Sequence, residues 1–157
     1  MIKNNITRFL DAQKISYTAL ELPAEKLGAE ETASFLGVPL EQVFKTIVVA
    51  REGQGKPILA IVPGTGRVDL KALAHLLGEK KLHIPTEREV EKLTGMQTGG
   101  VSPPGLIHRG FQMVLDRSAE RYESIYVSGG QRGLNIRLPV NALVELIHPL
   151  IADICQI

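Results

Sequence analysis

Phe44-Lys45-Thr46-Ile47-Val48-Val49-Ala50-Arg51, then Glu52-Gly53-Gln54-Gly55-Lys56, then Pro57-Ile58-Leu59-Ala60-Ile61-Val62 form the stretch that decides the fold. Both flanks are rich in β-branched residues, and five polar or glycine residues separate them, so the pattern predicts a β-hairpin with a long loop. Strand 44–51 reads as a central strand, and strand 57–62 as its hairpin partner. In strand 44–51 the period of two puts Lys45 on the same face as Ile47 and Val49.

Outward from this hairpin the chain alternates helix and strand signals. Ile2, Ile6, Phe9 and Leu10 recur at helical spacing and predict an opening amphipathic helix. A strand over 17–22 closes at Pro23, and a helix over 29–36 ends at Gly37. On the other side, Asp69 is an N-cap for the helix carrying Leu70, Leu73, Leu76 and Leu77, which stops at Gly78. A short strand over 81–84 follows. Thr86 and Glu89 have capping-box spacing and open a helix ending near Gly95. Residues 96–110 are the least regular stretch. Strands are predicted at 112–115, 124–127 and 134–138, then a helix from Pro139 to about Ile147, with Pro149 ending regular structure. After the opening helix the order is β-α-β-β-α-β-α-β-β-β-α, which does not alternate as a doubly wound sheet would. The expectation is an α/β (α+β) fold over residues 1–157: a single domain with a mixed, strongly curved sheet and helices packed around it.

The composition narrows the function. With 44% hydrophobic and 22% charged residues the chain reads as globular, and its four Phe, three Tyr and no Trp leave an aliphatic core. So few aromatics argue against an RNA-binding sheet that stacks bases. The formal charge of +1 supplies no strong field for polyanions, so any contact with a nucleic acid is expected to be local and helped by a partner. One cysteine, Cys155, rules out an internal disulfide and suits a reducing compartment. Residues 1–10 lack a signal-peptide apolar run, and no segment approaches membrane-spanning length, so a cytoplasmic protein is expected.

Three places could carry chemistry. Lys45 either snorkels out at a strand end or faces a cleft, where its charge would hold an anionic or carbonyl-bearing ligand. Thr98-Gly99-Gly100-Val101-Ser102-Pro103-Pro104-Gly105 cannot be helical; its glycines allow close backbone approach and its prolines stiffen it. Such a loop can aim amide N–H groups at an oxyanion, or it can be a plain Ω-loop. Ser128-Gly129-Gly130-Gln131-Arg132-Gly133 has a similar character and the same alternative, a simple hairpin turn. The search for a nucleophile returns little. His75, His83, His108 and His148 lack metal-ligand spacing, Cys155 has no flanking motif and reads as a small buried apolar residue, and Ser102 and Ser128 lack a nucleophile elbow. No metal and no cofactor are expected.

The segments Val43-Phe-Lys-Thr-Ile-Val-Val-Ala50, Thr94-Gly-Met-Gln-Thr-Gly-Gly-Val-Ser-Pro-Pro-Gly105 and Ile125-Tyr-Val-Ser-Gly-Gly-Gln-Arg-Gly-Leu-Asn-Ile136, in this order, resemble the YbaK family of aminoacyl-tRNA deacylases and the related editing domain inserted in many bacterial prolyl-tRNA synthetases. The final Ala152-Asp153-Ile154 is also family-like. The resemblance implies a barrel-like mixed sheet and a deacylase acting in trans on mischarged aminoacyl-tRNA, with prolyl-tRNA synthetase as a transient partner. It assigns catalytic parts to Lys45, Gly99, Gly100 and Ser128. It puts Val101, Ser102, Pro103, Gly129, Gly130, Arg132, Asn135 and Leu22 around the substrate. The branch most like this chain acts on Cys-tRNA(Pro), where the substrate's own thiol is held to attack its carbonyl, which would account for a missing nucleophile. This chain departs from that branch at Leu22, where the branch has a tyrosine, and at Asn135, where it has an aspartate. Alanine or another small residue is therefore an alternative substrate side chain. A tRNA-end or nucleotide-binding module without chemistry is the alternative from another class, and a metal-dependent hydrolase is a third.

Overall fold

The structure, a computed structural model, describes residues 2–157. Five α-helices and ten strands follow one another as α1 (Asn5–Ala12), β1 (Thr18–Glu21), α2 (Ala29–Leu36), β2 (Phe44–Arg51), β3 (Ile58–Pro63), β4 (Arg67–Val68), α3 (Leu70–Leu77), β5 (Leu82–His83), α4 (Glu87–Thr94), β6 (Gln112–Asp116), β7 (Ser124–Ser128), β8 (Leu134–Pro139), α5 (Val140–Ile147), β9 (Leu150–Ala152) and β10 (Cys155–Gln156). The local signals act as the sequence predicts. Asp69 accepts from the Ala72 amide, Thr86 and Glu89 cap each other's backbone, and Gly37, Gly78 and Gly95 take the left-handed conformation that ends a helix. The opening helix starts later than the apolar spacing suggests, because Asn4 caps it through the Thr7 amide and leaves Ile2 outside.

The hairpin β2–β3 is the centre of a mixed five-stranded sheet in the order β5-β2-β3-β6-β9, with β2 antiparallel to β3 and β5, and β6 parallel to β3 and β9. Every residue of β3 is buried. Leu59 and Ile61 face a large core with Leu115, Ile125, Ile136, Leu138 and Leu143, while Ile58, Ala60 and Val62 face a second core with Leu73 and Ile154. A second, antiparallel sheet runs β1-β8-β7. A parallel bridge between Val43 and Tyr126 joins it to the five-stranded sheet just before β2 begins. The strong curvature takes the form of this corner, with the larger core filling the angle. Helices α1 and α5 contribute Ile6, Leu10, Leu143 and Ile147 to it.

One expectation fails at the C-terminus. Regular structure does not end at Pro149: β9 extends the large sheet beside β6, and β10 pairs with β4 through Cys155↔Val68 and Gln156↔Arg67. The buried Asp116 carboxylate accepts the Ile154 amide at 2.9 Å, and the Asp69 amide donates to the Ile154 carbonyl at 2.8 Å. These bonds come from residues far away in sequence, so a segment too short for a period of its own is ordered by its partners. Cys155 is accordingly half-buried at a strand edge rather than sealed in the core.

Candidate functional site

The corner between the sheets positions the site. Because Val43 bridges to Tyr126, the first residues of β2 lie beside the last residue of β7. A cavity of about 220 Å³ opens there, walled by β2, by the loop 98–101, by the turn after β7 and by the loop between β1 and α2. Lys45, Gly99, Val101, Ser128, Arg132, Asn135 and Leu22 all line it. The lysine and the glycine-rich loop, 54 residues apart in sequence by subtraction of their numbers, therefore face one space. Ile47 and Val49, two and four residues on from Lys45, both pack into the second core.

The remaining residues singled out by sequence sit behind this wall. Gly100, Ser102, Pro103, Gly129 and Gly130 are not on the cavity surface, and four of them have a clear packing reason for their identity or place. A Cβ on Gly100 would lie 3.0 Å from Gln131 Cα and 3.2 Å from the Arg132 nitrogen, so the two glycine-rich segments touch backbone to backbone here. The Gly100 amide is already used, donating to the Gln97 carbonyl at 2.8 Å. Gly129 packs on Leu134, where a Cβ would sit 2.5 Å from Cγ, and Gly130, at φ +97°, packs on Ile6. Pro103 is buried where a short 3₁₀ turn begins.

The two loops are tied together by side chains. Ser128 Oγ donates to the Gly99 carbonyl at 3.3 Å and accepts from the Gly130 amide at 3.4 Å, so its hydroxyl braces the loops. Arg132 Nε donates to the Thr98 carbonyl at 3.0 Å. Asn4, the cap of α1, donates through Nδ2 to the Gly129 carbonyl at 2.9 Å and fixes the second turn from below. Among the described residues, the Gly99 and Val101 amides have no hydrogen-bond partner. Both residues are on the cavity wall, as are Thr98, Gln131, Arg132 and Gly133, whose amides likewise have no partner among the described residues, so the wall carries backbone donors of the kind an oxyanion needs.

The cavity wall also holds unpartnered polar atoms, of which the sequence reading singles out Asn135 and the loop beginning at Thr98 but not Thr46. Thr46 Oγ1, Thr98 Oγ1 and Asn135 Oδ1 are buried without a hydrogen-bond partner, and all three residues line the cavity. An unsatisfied buried hydroxyl or amide costs about 1–3 kcal/mol, so three around one small space are a sign of a ligand that completes them. The available signal was Thr46, a polar residue directly beside Lys45 in an otherwise apolar strand. The ionisable residues of the wall are Glu25, Lys26, Lys45 and Arg132; no histidine or cysteine lines it. Cys155 lies elsewhere, and burial, followed by the nearby Asp116 carboxylate, pushes its thiol up while Lys45 pulls it partly back. Among the described residues no group of three His, Cys, Asp or Glu is placed to hold a metal ion, and no helix is long and apolar enough to cross a membrane.

A cation, free backbone amides and unpaired acceptors around a space this small suit an acyl group attached to a larger polyanion. Similarity to known proteins agrees. Residues 24–146 match the aminoacyl-tRNA editing domain family, and the chain belongs to that family. The class is therefore that of the aminoacyl-tRNA deacylases, hydrolases that remove an amino acid from tRNA. The chain is 34% identical over 154 residues to an Enterococcus faecalis protein named "Putative Cys-tRNA(Pro)/Cys-tRNA(Cys) deacylase EbsC", covering 97% of this chain and 93% of that one. It is 32% identical over 130 residues to the proline–tRNA ligase of Geobacter metallireducens, covering 83% of this chain but only 22% of the ligase. A crystal structure named "putative trans-editing enzyme for prolyl tRNA synthetase" superposes with a TM-score of 0.81 at 27% identity, over 99% of both chains. The hypothetical protein APE2540 superposes with a TM-score of 0.89 at 24% identity, over 98% of this chain and all of that one, and speaks for the fold alone.

Proposed function

We propose that residues 1–157 work as one domain that edits in trans, hydrolysing the ester of Cys-tRNA(Pro) in the cytoplasm, with prolyl-tRNA synthetase as a transient partner. The observation that carries this reading is the cavity: about 220 Å³, with Lys45 on its wall, unpartnered amides that include those of Gly99 and Val101, and no side chain on its wall paired as nucleophile and base. That volume is below the range of sites for drug-sized ligands, so it suits a small aminoacyl group. The match to the E. faecalis relative spans 93% of that protein, which supports editing in trans, while the ligases carry a similar segment within a much longer chain. With a net charge of +1 the chain has little long-range attraction for tRNA, which is the reason for a partner that brings it.

In the reaction, the substrate's cysteine sulfur attacks its own ester carbonyl carbon. The S–C bond forms, the carbonyl oxygen becomes an oxyanion held by the Gly99 and Val101 amides, and Lys45 offsets its charge. Collapse breaks the ester C–O bond. The ribose oxygen leaves with the proton the thiol gave up, and water later opens the thiolactone. A tethered nucleophile gains up to about 10⁵–10⁸ M in effective concentration when well oriented, and less for a strained small ring. One oxyanion donor adds roughly 10²–10³ in rate. Asn135 Oδ1 and the threonine hydroxyls supply acceptors for the substrate's α-ammonium group.

A deacylation panel over Cys-, Ala-, Ser- and Pro-charged tRNA(Pro) tests this. Cys-tRNA(Pro) is expected to be cleaved fastest and Ser-tRNA(Pro), its oxygen analogue, far more slowly. Equal rates for Cys and Ala would sink the thiol mechanism and leave a general small-residue deacylase, the reading that Leu22 and Asn135 favour. Lys45→Ala is expected to lower kcat/KM by roughly 10²-fold. Binding of a non-hydrolysable analogue with no cleavage of any charged tRNA would instead make the chain a binding module.

A further inference from the structure

The cavity accepts the acyl end of a substrate, but an aminoacyl-tRNA also carries a phosphodiester one ribose away from its ester. That phosphate must lie at the cavity mouth, because the space inside is filled by the smaller group. Two cations stand there. A Cβ built on Gly99 would lie 3.6 Å from Lys26 Cγ and 4.0 Å from both Cγ and Nε of Arg132, so the two side chains converge on one glycine from opposite loops. Arg132 is oriented by its Nε bond to the Thr98 carbonyl, and its two terminal nitrogens have no partner among the described residues. Lys26 pairs with Glu87 at the start of α4, and both side chains are about half exposed.

We propose that Lys26 and Arg132 form a phosphate clamp at the cavity mouth, and that Glu87 is the counter-ion that phosphate displaces from Lys26. The proposal rests on the deacylase reading and goes beyond it, since it assigns the group that each cation binds. The chemistry favours the exchange. An exposed ammonium–carboxylate pair is held by 0–1 kcal/mol or so, which a phosphodiester shared with a guanidinium can outbid. The guanidinium presents two N–H groups in a fixed plane, the geometry that phosphate oxygens accept. Glu25, next to Lys26 in sequence, and Glu87, its ion-pair partner, are the carboxylates beside these cations, and the clamp must outweigh their repulsion of a phosphate. The small net charge then fits a protein that needs only a local cation pair.

The test compares aminoacyl-tRNA with the aminoacyl ester of adenosine, which lacks the phosphate, and adds binding of a short uncharged single-stranded RNA followed by fluorescence anisotropy. Lys26→Ala is expected to raise KM for aminoacyl-tRNA by about tenfold, with a smaller change in kcat, and to harm the adenosine ester about tenfold less. Lys26→Arg restores most of the loss. Glu87→Gln lowers KM at low salt. The slope of log Kd against log salt for the RNA flattens by about 0.7 in Lys26→Ala, the value for one phosphate on a single strand. Equal losses on both substrates, or Glu87→Gln raising KM as Lys26→Ala does, would show a loop latch with no phosphate role and overturn the clamp. If the protein cleaves neither ester but RNA binding still depends on Lys26 and Arg132, the clamp stands and the deacylase reading falls.

Discussion

Gly100→Ala probes the contact on which the whole site depends, the touching of two glycine-containing segments that are unrelated in sequence. Gly100 does not require its hydrogen for backbone conformation, as its φ is not positive. It requires it for space: an added methyl group would lie 3.0 Å from Gln131 Cα, 3.1 Å from Gln131 C and 3.2 Å from the Arg132 nitrogen. These are backbone atoms and cannot rotate away, so relief means moving the second turn outward by a few tenths of an ångström. Overpacking of this kind costs about 1–3 kcal/mol. At 2–4 °C per kcal/mol for a chain of this size, Tm falls by roughly 2–12 °C. The same shift stretches the Ser128–Gly99 bond, already 3.3 Å, past useful length and moves the Gly99 and Val101 amides relative to Lys45. Since a 1 Å misplacement can cost about 10²-fold, a shift of 0.3–0.5 Å should lower kcat/KM roughly 4- to 10-fold. Thermal unfolding and steady-state deacylation are measured together, with Gly53→Ala as the control, because a Cβ there meets nothing within 4 Å. A Gly100→Ala protein with Tm within about 1 °C and kcat/KM within about twofold of the parent would refute the claim that this close approach sets the site.

Thr46→Val replaces a buried unpaired hydroxyl by a methyl group of similar shape, so it should raise stability by up to about 1 kcal/mol while lowering kcat/KM; a gain in both would remove Thr46 from the site. Asp116→Ala leaves the buried Ile154 amide without its acceptor and should cost about 1–3 kcal/mol, with faster hydrogen exchange at Ile154 than elsewhere in the large sheet. The Cys155 thiol, held up by burial and by Asp116, forms less thiolate at a given pH than a free cysteine, so it should alkylate more slowly near pH 8 and reach the free rate in urea. Because the folded state holds that proton more tightly than the unfolded one, the thiol's contribution to stability is complete below the ordinary thiol range and is lost as pH rises through it; stability rising over that window would contradict the direction.

What the sequence determined by itself was local or periodic. The β-branched runs on either side of a polar loop marked the β2–β3 hairpin, Asp69 and Thr86 fixed helix starts, and Gly37, Gly78 and Gly95 fixed helix ends, because each effect acts within a few residues of its cause. Only the tertiary structure decided where the cavity lies, since the Val43–Tyr126 bridge brings β2 to the end of β7 across more than eighty residues by subtraction of their numbers. It also separated the motif residues into those facing the cavity, such as Gly99 and Ser128, and those behind it, such as Gly100 and Gly129, which composition cannot distinguish. The strands β9 and β10, the place of Thr46 on the wall, and the unpaired state of the Thr46, Thr98 and Asn135 oxygens were illegible for the same physical reason. Pairing and burial belong to pairs of segments, and a one-dimensional pattern records only one member of each.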